Sequence, residues 1–137
     1  MLEFKNREKI ITLIKFGIVG SSGIIVNNGI LWLLVEHFDA AVTFASPAAI
    51  AVAVFNNFTW NNIFTWHERR DNYRYSYFHR LWKYYLSTSI GALINYGVLN
   101  ALFYLFDVNY IIANLAGIFL GMVSNFVLSD KWVFKEI

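Results

Sequence analysis

Cysteine is absent from the 137 residues, so neither a disulfide framework nor a thiolate metal site is available. Histidine occurs only as His37, His67 and His79, with no pair three or four apart, which removes helical metal-ligand spacing as well. Proline is nearly missing: Pro47 stands alone, and no proline-rich linker divides the chain. Charge is scarce too. Only 15% of residues are Asp, Glu, Lys or Arg, against about 25% in an ordinary soluble domain, while 58% are hydrophobic and 19% aromatic. No nucleophile–base pair stands out, and the glycine-rich Gly20-Ser21-Ser22-Gly23 lies inside an apolar run, where close helix contact accounts for it. A catalytic role, a cofactor and a metal are therefore not expected. The start, Met1 to Lys9, is charged in both signs and runs into a full-length apolar segment with no small-residue cleavage site. It reads as an amphipathic cytoplasmic lead-in, not a cleaved signal.

What is present is a set of long uncharged runs. Phe16–Val35, Ala40–Trp66, Tyr84–Phe106 and Val108–Ser129 contain no Asp, Glu, Lys or Arg and measure 20, 27, 23 and 22 residues. A bilayer core about 30 Å thick needs roughly 20 such residues of helix, so each can span and nothing else can. The loops after the first and third runs hold Glu36, His37 and Asp39 in one case and Asp107 in the other, without a basic residue. All 11 Lys and Arg lie in the three remaining segments. Four spans put those segments on one side, and the positive-inside rule makes that side the cytoplasm. The net charge of +2 is then a basic membrane face, suited to anionic headgroups, and no nucleic-acid partner is implied. Aromatic residues gather at the boundaries as belt anchors do: Trp60, Phe64 and Trp66; Trp82, Tyr84 and Tyr85; Trp132 and Phe134. Residues 67–82, with Tyr73, Tyr75, Tyr77 and Phe78 among their charges, read as a connector lying on the inner leaflet.

The two halves are copies. Sliding residues 15–66 by 68 positions onto 83–134 needs no gap and gives 14 identities in 52. Among them are Lys15/Lys83, Gly23/Gly91, Asn27/Asn95, Asp39/Asp107 and Asn57/Asn125, which apolar composition alone would not align. The predicted fold is an all-α membrane protein of four transmembrane helices. They form two parallel-repeat helical hairpins, related by a pseudo-two-fold axis along the membrane normal, with N- and C-termini cytoplasmic. Repeat 1 covers about 15–66 and repeat 2 about 83–134 of a single transmembrane domain. In the second span Ala45, Ala49, Ala53 and Asn57 share a stripe, matched in the fourth by Ala113, Gly117, Gly121 and Asn125. Such a small-xxx-small seam lets helices approach closely, and the Gly117/Gly121 pair offers a face for self-association, most simply as a homodimer.

Polar groups at membrane depth are the candidates for function. Asn27 and Asn95 lie 12 residues past Lys15 and Lys83, about 18 Å along a helix and near the bilayer midplane. Asn57 and Asn125 lie about two turns inside the basic boundary. These amides either bond between helices, worth about 1 kcal/mol each, or line a polar path. Lys15 and Lys83 either snorkel to the interface or, with Arg80 and Lys131, hold an anionic headgroup. No carboxylate lies within a span, which disfavours a small proton-coupled drug exporter, whose coupling needs a buried titratable group.

The pattern Lys15-Phe16-Gly17-Ile18-Val19-Gly20, a mid-span Asn, and Asn57-Phe58 through Phe64-Thr65-Trp66, returning as Lys83-Tyr84-Tyr85 and Asn125-Phe126 through Trp132-Val133-Phe134, resembles GtrA-like proteins. Two departures are Asn61 and Asn62 where basic residues are common, and the missing Val-Gly pair in the third span. The resemblance covers about residues 10–134. It implies a part in cell-surface polysaccharide or glycoconjugate synthesis at the cytoplasmic membrane: translocation of a polyprenyl-phosphate-linked sugar from the inner to the outer leaflet. It implies, alternatively, a non-transporting anchor for a polyprenyl-phosphate glycosyltransferase. On the first reading Lys15, Arg80, Lys83 and Lys131 meet the lipid phosphate, Asn27, Asn57, Asn95 and Asn125 meet sugar hydroxyls in transit, and the prenyl tail stays among membrane lipid.

Overall fold

In lipid every backbone N–H and C=O must be bonded within its own segment, so a charge-poor sequence with one proline favours long unbroken helices. The computed structural model describes residues 1–137 and is built on four of them. Helix α1 is Leu2–Glu36, α2 is Val42–Trp60, α3 is Tyr77–Phe106 and α4 is Tyr110–Leu128. All four are long and apolar enough to cross a membrane. The charged lead-in is continuous with the first span. From Lys15 to Glu36 the helix rises about 32 Å, one bilayer core, which leaves Leu2–Ile14 as helix beyond it. Helix α3 begins at Tyr77, inside the stretch expected to be connector, because Ser76 holds an extended conformation (φ −61°, ψ 165°) and the chain turns helical directly after it.

The chain divides into two units, Met1–Asp71 and Asn72–Ile137. Each is a helical hairpin, α1 with α2 and α3 with α4. The two tips are made alike. Asp39 and Asp107 adopt left-handed backbone, φ 49° and 53°, and the next amide bonds back six residues: Ala40 N–H to the Leu34 carbonyl, Val108 N–H to the Leu102 carbonyl, both 3.0 Å. Aspartate tolerates positive φ better than most residues, which explains its recurrence at both tips.

The packing inverts that of a soluble protein. The seams bury small residues, Ala45, Ala49 and Ala53 on α2 and Ala113, Gly117 and Gly121 on α4, while Ile24, Ile25, Leu115 and Phe119 point outward. Lipid is as apolar as leucine, so helices associate through close backbone contact, not through hiding large side chains. A Cβ built on Gly91 would stand 2.9 Å from the Gly121 carbonyl oxygen, and one on Gly117 would strike the Asn95 side chain. The glycine pair expected to offer a dimer face is thus consumed inside the second hairpin, against α3. The seam gives no support for self-association.

Candidate functional site

At the basic end of each hairpin the last turn widens. Asn61–Thr65 and Ser129–Val133 are π-helical, and these two stretches are equivalent in the repeat. Trp66 N–H bonds the Asn61 carbonyl at 3.0 Å and Phe134 N–H bonds the Ser129 carbonyl at 2.8 Å. The extra residue in the turn rotates the aromatics that follow it onto the neighbouring helix. Phe16 and Trp66 meet edge-on with centroids 5.9 Å apart, and their equivalents Tyr84 and Phe134 meet at 6.2 Å with the same tilt within a few degrees. The lysines follow the same rule. Lys15 Nζ lies 5.1 Å from the Phe64 ring centre, and Lys83 Nζ lies 4.7 Å from that of Trp132. Lys15 and Lys83 are therefore placed by one device, used twice.

The second unit adds a layer that the first lacks. Residues 72–74 run back along the chain end: Ile137 N–H bonds the Asn72 carbonyl at 2.9 Å, Arg74 N–H bonds the Lys135 carbonyl at 2.8 Å, and Tyr73 forms an isolated antiparallel bridge with Glu136. This pairing carries two tyrosines over the basic end of α3. Tyr75 lies 3.4 Å from Lys83 Nζ, and Tyr73 lies 4.1 Å from the Arg80 guanidinium carbon, whose NH1 also donates to the Tyr75 carbonyl at 2.7 Å. Lys83 and Arg80 end up 6% and 7% exposed, whereas Lys15 is half-buried. No carboxylate pairs with Lys83; rings and the Tyr75 hydroxyl surround it. That hydroxyl is held below the usual phenol range, first by its hydrogen bond with Lys83, then by the charges of Lys83, Arg74 and Lys135, against some desolvation.

Above the lysine a polar stripe climbs α3. Lys83, Ser87, Gly91 and Asn95 are spaced by four and share a face. The Ser87 hydroxyl and the Asn95 side-chain carbonyl oxygen are buried without a hydrogen-bond partner, as is the hydroxyl of neighbouring Thr88. A buried polar atom left unpaired in an apolar setting costs about 1–3 kcal/mol, and the Asn95 oxygen meets that cost packed over Gly117. The equivalent stripe on α1 reads Lys15, Val19, Gly23, Asn27, and is less polar by one hydroxyl.

The other expected residues fall on these stripes or beside them. Asn57 packs its amide on Gly23, and its carbonyl oxygen accepts from Asn56 at 3.4 Å. Asn56 in turn donates to the Ser22 hydroxyl at 3.1 Å. Asn125 lies against Gly91 and accepts from the Ser129 hydroxyl at 3.4 Å. Asn57 and Asn125 therefore have structural duties at the seams. Asn27 is half-buried and Lys131 is exposed. Sequence reasoning missed Ser87, Tyr73 and Tyr75 as parts of the site. The four-residue spacing of Ser87 between Lys83 and Asn95 was the available signal.

The family described as "GtrA/DPMS, transmembrane domain" matches residues 15–134. Among curated proteins, a dolichol-phosphate mannosyltransferase of Pyrococcus furiosus is 39% identical over 117 residues. Those residues make up 85% of this chain and 32% of that protein, so the chain spans about a third of the length of the relative it matches.

Proposed function

Because the chain belongs to the GtrA/DPMS transmembrane-domain family and is a multi-pass integral membrane protein, we propose that it moves a polyprenyl-phosphate-linked sugar across the cytoplasmic membrane. The work is non-enzymatic and serves cell-surface polysaccharide or glycoconjugate synthesis. The observation that carries the reading is the α3 stripe: a buried lysine without a carboxylate partner, and beyond it two buried oxygens without partners. A lipid phosphodiester supplies the missing anion and sugar hydroxyls supply the missing donors, in the order in which such a molecule enters head first. The positive-inside rule sets the direction, with both termini and the connector in the cytoplasm.

On this reading Lys83 and Arg80 take the phosphate of the substrate and Lys15 serves the same role for the first repeat, with exposed Lys131 raising the local positive potential. Asn95 and Asn27 replace water around the sugar near mid-depth, and the prenyl chain remains in lipid beside the outward-facing Ile and Phe side chains. Tyr75 must leave the Lys83 ammonium when phosphate arrives. The test is reconstitution: vesicles holding the pure chain should move a fluorescent polyprenyl-phosphate mannose between leaflets well above protein-free vesicles. The double substitution Asn27→Ala plus Asn95→Ala should abolish most of that excess. Wild-type movement in the double variant would refute the path.

The mannosyltransferase relative from Pyrococcus favours a second reading, in which the chain is the non-transporting membrane anchor of a separate glycosyltransferase. Stoichiometric co-purification with a glycosyltransferase, together with no movement by the chain alone, would favour it.

A further inference from the structure

The tip of the second hairpin, opposite its basic end, holds a feature that the α3 stripe does not use. An open cavity of about 440 Å³ lies between α3 and α4, lined by Asn100, Phe103, Tyr104, Tyr110 and Asn114 with flanking leucines and isoleucine. A second hollow of about 290 Å³ shares Phe103, Tyr104 and Tyr110 and reaches Asp107 at the turn. The larger one lies within the range of small-molecule sites, about 300–1,000 Å³. We propose that this cavity is a second binding site, for the pyranose ring of a neutral sugar headgroup, on the face of the membrane opposite the lysines.

The chemistry of the lining selects that class. Phe103 and Tyr104 stand edge to face with centroids 4.9 Å apart, which fixes one ring against the other and leaves Tyr104 73% exposed. Aromatic faces suit the apolar C–H face of a pyranose, and the surrounding polar atoms suit its hydroxyl edge. The half-buried Asn114 side chain, one turn inside α4, makes no hydrogen bond within the chain. Asn100 spends one amide hydrogen on the Tyr96 carbonyl at 2.8 Å, which leaves its carbonyl oxygen as an acceptor. Asp107, fixed by its left-handed turn, adds an acceptor at the rim. No lysine, arginine or histidine lines either hollow, so a phosphate is not the occupant.

The repeat sharpens the assignment. At the equivalent places the first hairpin has Val35 for Phe103, Glu36 for Tyr104, Val42 for Tyr110 and Ser46 for Asn114. Trp32 replaces Asn100 and packs on His37 with centroids 5.2 Å apart. Anchoring a hairpin tip at the interface therefore does not require this set, since the first tip does without it. The choice of a sugar as occupant rests on the proposed function, whereas the existence of the site rests on the cavity and its unpaired amide.

The test uses the full chain in dodecylphosphocholine, a detergent without sugar, and methyl α-mannoside as the probe, read by saturation-transfer NMR. Transfer to the mannoside ring protons is expected. It should fall about fivefold or more on Asn114→Ala, the factor for one lost hydrogen bond, and similarly on Tyr104→Ala. Tyr104→Phe keeps the ring and should retain most of the transfer, which guards against a variant that merely misfolds. Equal transfer in wild type and Asn114→Ala overturns the proposal. So does no transfer at all, the outcome for rings that only anchor the tip among lipid headgroups. Mannoside binding without movement of the lipid-linked sugar in vesicles would sink the translocation reading and leave this site standing. Movement without mannoside binding would do the reverse.

Discussion

The two hairpins begin from one template and differ where it matters. Each has a left-handed aspartate at its tip, a π-helical last turn, an edge-on aromatic pair and a lysine against a ring. The first hairpin closes its seam with alanines and lets a side chain, Asn57, fill the space over Gly23. The second closes its seam with glycines, so that the Gly91 and Gly121 backbones face each other directly. It also buries its lysine under Tyr75, and on the four-residue stripe it carries Ser87 where the first hairpin has Val19. The two hairpins share this frame, and the unpaired buried oxygens of Ser87, Thr88 and Asn95 all lie in the second. Structure is shared between the halves; the proposed chemistry is concentrated in one.

That contrast can be broken most forcefully at the seams. Gly121→Ala drives a methyl group into the Gly91 carbonyl, which belongs to backbone and cannot swing aside, so a loss of about 1–3 kcal/mol is expected. Gly23→Ala meets only the Asn57 side chain, which can rotate, and should cost well under half as much. Thermal unfolding of both variants in the same detergent checks the order; equal losses would mean the two seams are not different in kind. A smaller effect is expected for Ser87→Ala. Removing an unpaired buried hydroxyl should leave the fold unchanged or up to about 1 kcal/mol more stable, while lowering translocation. A variant less stable than wild type would show that Ser87 has a structural partner.

The smallest effect is a titration. Tyr75 ionises below the ordinary tyrosine range because its phenolate is favoured by Lys83. Its folded value lies below its unfolded one, so any stability it contributes is present above the unfolded pKa and fades as pH falls through the folded one. Phenolate absorbance on an alkaline titration should show one tyrosine ionising early in wild type, and that step should move to higher pH in Lys83→Met.

Much of this was legible from residue order. Charge-free runs located the spans, and the 68-residue offset relates the two π-helical turns and the two left-handed aspartates. The paired aspartates were visible as identities, but their left-handed conformation at the turns depends on backbone angles that no composition encodes. The π-helical turns were not legible either, since the same residues fit an ordinary α-helix and only the tertiary placement of Trp66 and Phe134 selects the wider register. The glycine pair was seen, yet spacing says that helices approach and not which helix comes; here it is α3. Burial of Lys83 and Arg80 was hidden because it depends on residues 72–74 pairing with the chain end, a contact more than sixty residues apart in sequence.

On the proposed function, the second hairpin's buried lysine receives the lipid phosphate. Initial rates of polyprenyl-phosphate mannose movement in vesicles, compared for Lys83→Met and Lys15→Met at equal protein density, test it directly. The expected result is a loss of about tenfold or more for Lys83→Met, as a charge-assisted contact worth about 1.5–3 kcal/mol implies, with a clearly smaller loss for Lys15→Met. Equal rates for Lys83→Met and wild type would contradict it.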